Sequence, residues 1–247
     1  MKRLGKPLAA AIVLLAVAGT ASAQTADEVI EKTLTAIGGR AALAKVKSRR
    51  TTGTITFQTP AGDVEGTVEV VNAAPNKTRT LIKADLTALG AGQMVVDQRF
   101  DGTTGYVIDT MQGNRDIIGN QLDNLRNGSF PSGLLTYKSQ GIAAKLGGKE
   151  KVGDRDAYVL ILEPPTGSAV RQYIDASTYL PLRAVVKVQV PQLGDLEQTS
   201  DMSDYRDVDG VKLPFVLKVS STAQNYTIAI SKVEHNITLD EKQFVKP

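Results

Sequence analysis

Apolar and polar residues alternate with a period of two through most of the chain after residue 51. Residues 52–59 place Ile55 and Phe57 between polar neighbours, and residues 63–71 alternate valine with polar residues in the same way. A period of two puts alternate side chains on opposite faces of a β-strand. Further strands are predicted at residues 78–83, 94–100, 105–109, 149–152, 157–163, 170–175, 182–190, 197–205, 213–221 and 226–233. Short connections containing Gly, Pro, Asn and Asp join these segments, which predicts an antiparallel meander.

The clearest turn signal is Asp209-Gly210. A type I′ hairpin turn needs positive φ at both central residues, which Asp tolerates and Gly adopts freely. The predicted strand that follows has one apolar face, formed by Leu213, Phe215, Leu217 and Val219. Such a face must be covered, either by other parts of the chain or by a ligand.

Helical spacing is found at the start of the mature chain and once in the middle. Thr25 or Asp27 can cap a first helix, which Gly38-Gly39 ends, and residues 40–47 form a short second one. Residues 115–126 form the mid-chain segment, predicted to be a helix that is either packed core or a movable lid. Its apolar residues are Ile117, Ile118, Leu122 and Leu125.

Residues 1–23 have the features of a secretory signal peptide. A basic start precedes the apolar residues 8–18, and Ala21-Ser22-Ala23 forms a small-residue cleavage site before Gln24. The apolar run is too short to span a bilayer, which takes about 20 residues. We therefore expect a single domain at residues 24–247 that does not span the membrane. With no Cys in the chain, it is not lipidated, and the expected location is the periplasm.

Charge and side-chain chemistry argue against several function classes. The chain has 29 Lys and Arg and 26 Asp and Glu, and three of the cations lie in the predicted signal peptide. The mature domain is therefore neutral, so nucleic acid is not an expected partner. The local basic group of Lys45, Lys47, Arg49 and Arg50 is interpreted as the polar end of a helix that runs into a strand.

Candidates for catalysis or metal binding are few. The one histidine, His235, follows the last predicted strand and is interpreted as a surface or turn residue. The acidic residues 201–209 do not fit a calcium loop, because aligning Gly210 with the loop glycine puts Tyr205 and Val216 at ligand positions. We expect no metal, no cofactor and no catalytic residues, and therefore a protein that is not an enzyme.

Several local sequences together resemble a known group. They are Ala26-Asp-Glu-Val-Ile-Glu-Lys, Ala36-Ile-Gly-Gly-Arg40, Thr52-Gly53, the segment from Gly148 to Tyr158, the segment from Tyr173 to Arg183, the segment from Tyr205 to Phe215, and the terminal Phe244-Val-Lys-Pro247. The chain resembles the LolA-like superfamily of bacterial periplasmic proteins, which includes outer-membrane lipoprotein-sorting proteins. The resemblance implies a mainly β (α+β) fold: a strongly curved, unclosed antiparallel sheet, or half-barrel, with an N-terminal helix. It also implies that a mid-chain helix covers the concave face, and that lipid or acyl chains bind between helix and sheet.

Two functions follow as hypotheses. The first is a periplasmic carrier or sensor, active in lipoprotein sorting, transport or outer-membrane biogenesis, that buries the apolar tail of a lipid, lipoprotein acyl chain or other apolar small molecule. Its candidate lining residues are Ile55, Phe57, Ile117, Ile118, Leu122, Leu125, Val186, Val188, Phe215, Leu217, Ile228 and Ile230.

The second hypothesis is a structural or interaction module of the cell envelope with a filled interior. Such a module binds a protein partner, for example by strand addition to residues 211–221. An apolar cavity of several hundred Å³ favours the first hypothesis.

Overall fold

The computed structural model describes residues 24–190 and 194–247. The predicted signal peptide, including Ala23 at the cleavage site, lies outside the described residues. Within them the α-helices are α1 (Ala26–Ala36), α2 (Gly39–Lys45) and α3 (Gly119–Asn127). The strands are β1 (Ser48–Thr59), β2 (Gly62–Ala73), β3 (Lys77–Asp85), β4 (Gln93–Phe100), β5 (Gly105–Asp109), β6 (Arg115–Ile117), β7 (Ala143–Val152), β8 (Arg155–Glu163), β9 (Val170–Asp175), β10 (Pro181–Val190), β11 (Gly194–Val208), β12 (Val211–Ser220) and β13 (Asn225–His235).

The described strands form one curved, unclosed antiparallel sheet. Its order is β6-β5-β4-β3-β2-β1-β13-β12-β11-β10-β9-β8-β7. The meander therefore runs outward from β1 to β6, returns at the opposite edge with β7, and ends at β13 beside β1. All twelve strands predicted from the sequence are present, and the antiparallel meander is confirmed.

The hairpin predicted at Asp209-Gly210 is confirmed. These two residues alone connect β11 to β12, and their φ angles are 53° and 79°. Both angles are positive, as a type I′ turn requires.

Strand addition to the second half of β12 does not fit this sheet. β12 pairs with β11 over residues 211–220 and with β13 over residues 216–220, so residues 216–220 already have a partner strand on both sides. In the described sheet the free edges belong to β6 and β7.

One face of the sheet, called the inner face here, carries α1, α2 and the connection between β6 and β7. α1 begins with a capping box in which Thr25 accepts from the Glu28 backbone N–H and the Glu28 side chain accepts from the Thr25 N–H. The helices bury their apolar sides, including Ile30, Leu34 and Leu43, against the sheet. The sheet contributes Leu160, Leu162, Ile174 and Val211 to this core, and the connection contributes Phe130, Leu134 and Tyr137.

The outer face is covered in its first half by the C-terminal segment, residues 237–245. Phe244 is buried against Val71 and Ala73 of β2. Nearby, Asp97 accepts two hydrogen bonds from Arg79, each 2.8 Å long, and two from Arg99, 2.8 and 3.1 Å long. Arg99 also donates to the backbone oxygen of Val245. The tail is therefore held by apolar packing and by a buried carboxylate with two arginines.

The mid-chain helix begins later than its sequence spacing predicts. Residues 115–117 form strand β6, and α3 begins at Gly119. Ile117 packs over Gly105 of β5, where a side chain on residue 105 would lie only 2.9 Å from the isoleucine. Ile118 precedes the helix and is 72% exposed. Residues 115–118 can form either the first turn of a helix or a short strand followed by a turn. Here residues 115–117 pair with the free edge of β5 and therefore form a strand.

Candidate ligand groove on the inner face

An apolar groove of about 210 Å³ lies on the inner face where β1 and β2 meet β12 and β13. Its apolar lining is Val68, Val70, Leu213, Pro214, Leu217, Ile228, Ile230 and Val233, and its polar lining is Arg49, Thr51 and Asn72. All of these apolar residues except Val68 are only half-buried. The helices that fill the inner face over β8 and β9 thus leave this part of the sheet uncovered.

A glycine in β1 opens the floor of the groove. Gly53 lies between Thr51 and Ile55 on the inner side of the strand, and it pairs with Ile230 of β13. A side chain at this position would place Cβ 2.3 Å from the carbonyl oxygen of Ala229. The close approach of the two backbones therefore requires glycine, and the inner face has no side chain at that point.

Two further cavities continue the groove under the connection between β6 and β7. A cavity of about 220 Å³ shares Arg49 and Asn72 with the groove. A third, of about 260 Å³, shares Asn124 and Gly128 with the second and reaches Leu162, Val170 and Val186. Together the three have the size of small-molecule sites, about 300–1,000 Å³.

Helix α3 covers this path and is held mainly by polar contacts. None of its residues is fully buried. The Asn124 side chain accepts from the Ser168 N–H at 2.7 Å, and Asn120 donates to the Ser168 hydroxyl at 2.9 Å. At its other end Arg126 donates to the backbone oxygen of Thr103. A segment with little apolar burial and few tethers opens at low free energy.

Asn124→Ala should therefore loosen α3 without unfolding the domain. We expect the amides of residues 119–127 to exchange with deuterium about tenfold faster, because about 1–1.5 kcal/mol of hydrogen bonding to Ser168 is lost. Gln121→Ala on the same helix is the control, since Gln121 takes no part in the tether described above. Equal exchange rates in the two variants would contradict a polar tether.

Arg49 stands where the groove meets the second cavity, and it is a cation without a carboxylate partner among the described residues. Its Nε atom is shielded from solvent and has no hydrogen-bond partner. The guanidinium carbon lies 5.1 Å from the centre of the Phe130 ring. Burial lowers the pKa of Arg49 to about 10, so the side chain remains charged at neutral pH.

His235 lies beside Arg49 in the neighbouring strand, and its side chain is only 2% exposed. The interpretation of His235 as a surface residue is therefore wrong. Burial lowers the pKa of His235, a hydrogen bond with Asp209 partly offsets this, and the charge of Arg49 lowers it further. Nδ1 lies 3.1 Å from Asp209, and Nε2 has no partner among the described residues.

The structure brings some of the predicted lining residues together and separates others. Leu217, Ile228 and Ile230 line the groove, Leu125 lines the second cavity, and Val186 lines the third. Ile55 and Phe57 are buried in a core cluster with Val68 at the end of the groove. Phe215 is buried under the Arg206 guanidinium and lies outside the groove lining. Ile117 is buried in β6, and Val188 and Leu122 are half-buried outside the three cavities.

Sequence reasoning missed eight residues of the groove lining: Arg49, Thr51, Val68, Val70, Asn72, Leu213, Pro214 and Val233. The signal for Arg49 was present, because it has the same strand parity as Ile55 and Phe57 and therefore faces inward. Because Arg49 belongs to the basic group with Lys45, Lys47 and Arg50, it was interpreted as part of the polar end of a helix and not as a lining residue.

The acidic residues 201–209 serve structural contacts. Asp201 pairs with Arg183, Asp204 with Arg206, and Asp207 accepts from the Gly210 N–H. Over residues 24–190 and 194–247 no group of three or more His, Asp or Glu side chains is arranged to hold a metal ion. The same residues contain no helix of the length and apolarity needed to cross a membrane.

No family model and no curated protein matches the sequence. Solved structures do match the fold. A LolA superfamily protein from Nitrosomonas europaea has a TM-score of 0.57 at 15% identity, over 91% of this chain and 99% of that one. A DUF1329 family protein from Desulfovibrio piger has a TM-score of 0.56 at 15% identity, over 88% and 95% of the two chains.

A domain from Vibrio parahaemolyticus, described as outer membrane lipoprotein-sorting, has a TM-score of 0.56 at 12% identity. The match covers 89% of this chain and 97% of that one. At these identities the likeness concerns the fold. The resemblance seen in the sequence is thereby supported by structure: this chain has a LolA-like fold.

Proposed function

We propose that this protein is a non-catalytic carrier or sensor of the cell envelope that buries the apolar tail of an amphiphile in the groove on its inner face. The groove itself carries the proposal. Its walls are mainly apolar, and its apolar residues other than Val68 are half-buried although they lie on the side of the sheet that packs the core elsewhere. An acyl chain gains about 0.8 kcal/mol for each CH₂ that it buries, so such a surface binds a tail without any ionised group.

The proposed cargo is a lipid or the acyl chain of a lipoprotein, and the proposed location is the periplasm. The signal-peptide pattern supports the location. The likeness to a domain described as lipoprotein-sorting supports the cargo class only through the fold. An interaction module with a filled interior is less well supported, because the cavities under α3 continue the groove.

Filling the groove tests the proposal. Ile230→Trp should weaken binding of the neutral apolar probe N-phenyl-1-naphthylamine at least about tenfold, since the indole occupies the space of the tail. Ala229→Trp is the matched control, because Ala229 directly precedes Ile230 in β13, is exposed, and faces outward. Probe fluorescence measures both affinities, and circular dichroism verifies that both variants are folded.

Two results would contradict the carrier. One is a wild-type protein that binds no apolar probe. The other is equal binding by Ile230→Trp and wild type, which would place the probe outside the groove.

A further inference from the structure

We propose that Arg49 and Asn72 form a binding site for the anionic head of the amphiphile, so that the preferred ligand carries a carboxylate or phosphate on an apolar tail. This inference rests on the carrier function proposed above and names its ligand class. The observation that supports it is the position of Arg49, a cation without a carboxylate partner among the described residues, at the boundary between an apolar and a polar cavity.

The first observation is the missing partner of Arg49. Neighbouring arginines on the outer face are paired: Arg79 and Arg99 share Asp97, and Arg50 lies 3.4 Å from Glu69. The Nε atoms of both Arg49 and Arg50 are shielded from solvent and have no hydrogen-bond partner, but only Arg50 has a carboxylate within ion-pair distance. None of the described ion pairs or side-chain hydrogen bonds involves the Arg49 guanidinium. A largely buried charge is normally paired or hydrogen-bonded, so the Arg49 guanidinium has donors available to a ligand anion.

The second observation is the position of Arg49 relative to the cavities. On its groove side the lining is apolar, with Val68, Val70 and Ile230. On its other side the second cavity is lined by Asn76, Lys77, Thr78 and Ser129. Arg49 and Asn72 line both. A ligand with its tail in the groove therefore places its head at Arg49.

The pairing of β1 with β2 and β13 determines which side chains lie next to Arg49. Arg49 pairs with Asn72 of β2 on one side and with His235 of β13 on the other, so the three side chains share one row of the inner face. The row offers a guanidinium fork and an amide N–H₂, which are donors suited to carboxylate and phosphate oxygens. Asn72 also donates to the Thr78 hydroxyl at 3.1 Å, which orients its amide.

The Phe130 ring lies beside the guanidinium, with its centre 5.1 Å from the guanidinium carbon. Phe130 belongs to the connection that crosses the inner face, and its backbone N–H donates to the Pro75 oxygen at 2.7 Å. A guanidinium is a planar fork that can bind a carboxylate or a phosphate through two parallel hydrogen bonds. Lysine cannot reproduce this arrangement, because an ammonium is a point charge on a flexible stem.

The test compares ligands that share a tail and differ in the head. Dodecanoate, dodecyl phosphate and dodecanol, each below its aggregation concentration, compete with N-phenyl-1-naphthylamine for the wild-type protein. Acetate and inorganic phosphate form the free-anion arms. We expect both anionic amphiphiles to bind at least about tenfold more tightly than dodecanol, with no competition by the free anions at the same concentrations.

Variants assign the preference to Arg49. Arg49→Met should bind dodecanoate and dodecanol with affinities within about twofold of each other, while Arg49→Lys retains only part of the preference. Arg49→Met should also raise Tm by at least about 2 °C, because it removes an unpaired buried charge. The matched control is Arg50→Met on the opposite face, which should keep the wild-type preference.

The outcomes separate this proposal from the carrier function. If dodecanol binds wild type as tightly as dodecanoate, the head site is wrong and the carrier stands. If none of the three amphiphiles binds, the carrier is wrong and the head site falls with it. If inorganic phosphate competes as well as dodecyl phosphate, the site takes a free anion and the amphiphile is wrong. If Arg49→Met lowers Tm, Arg49 is structural and the head site is overturned.

Discussion

Gly53→Ala is expected to lower the free energy of unfolding by about 3 kcal/mol or more. The added Cβ would lie 2.3 Å from the Ala229 oxygen and 3.0 Å from the Ile230 Cα. Both atoms belong to backbone, so relief requires β1 and β13 to move apart, and overpacking of this kind costs about 1–3 kcal/mol or more. The pairing of β1 with β13 joins the two halves of the meander, so a change there affects the stability of the whole sheet. Urea unfolding followed by circular dichroism measures the change.

Gly133→Ala is the control for this substitution. No atom lies within 4 Å of its added Cβ, and its φ is not positive. We expect a change within about 1 kcal/mol, in the stabilising direction, because alanine restricts the unfolded chain. A Gly53→Ala protein as stable as Gly133→Ala would contradict the close approach of β13.

Asp97→Asn is expected to lower the free energy of unfolding by about 2–4 kcal/mol. Asp97 is 4% exposed and binds two arginines, and removing one member of a buried ionic group leaves the others unpaired. The estimate lies below the full cost of an isolated buried charge because Arg79 and Arg99 are partly exposed. Asp156→Asn is the control, since its ion pair with Lys151 is exposed on both sides and should contribute less than about 1 kcal/mol.

The effect of Asp97 depends on pH in a defined direction. Burial raises the pKa of Asp97, but hydrogen bonds from Arg79 and Arg99 outweigh this and hold it below its usual value. A depressed folded-state pKa adds stability above the unfolded-state value of about 3.9. That stability is lost as pH falls through the folded-state pKa. The difference between wild type and Asp97→Asn should therefore be constant from pH 7 to about 5 and shrink below about pH 4. A difference that grows in acid would contradict this assignment.

The local sequence pattern was sufficient to predict twelve of the strands and the hairpin turn at Asp209-Gly210. The period of two identified twelve strands, and Asp209-Gly210 fixed the connection of β11 to β12. These features depend on side-chain alternation and on φ preference within a few residues. The mid-chain helix was placed less well, because residues 115–117 joined the open edge of β5. Pairing with the preceding strand, β5, overrode helical spacing there.

For the candidate groove, sequence predicted which side chains face inward but not which of them meet a cavity. Leu217, Ile228 and Ile230 border open space, whereas Ile55 and Phe215 are buried by neighbours. Strand parity is identical in the two groups, so periodicity cannot separate them. The outcome depends on where α1, α2 and the connection to β7 pack.

By itself the sequence determined an antiparallel meander, because turn residues and alternation act locally along the chain. Only the tertiary structure decided that Arg49 has no carboxylate partner in the described chain. Its surroundings come from β2, β13 and Phe130, which are far apart in sequence. The burial and the charge pairing of a side chain depend on all such distant contacts together, so they cannot be predicted from a local sequence pattern.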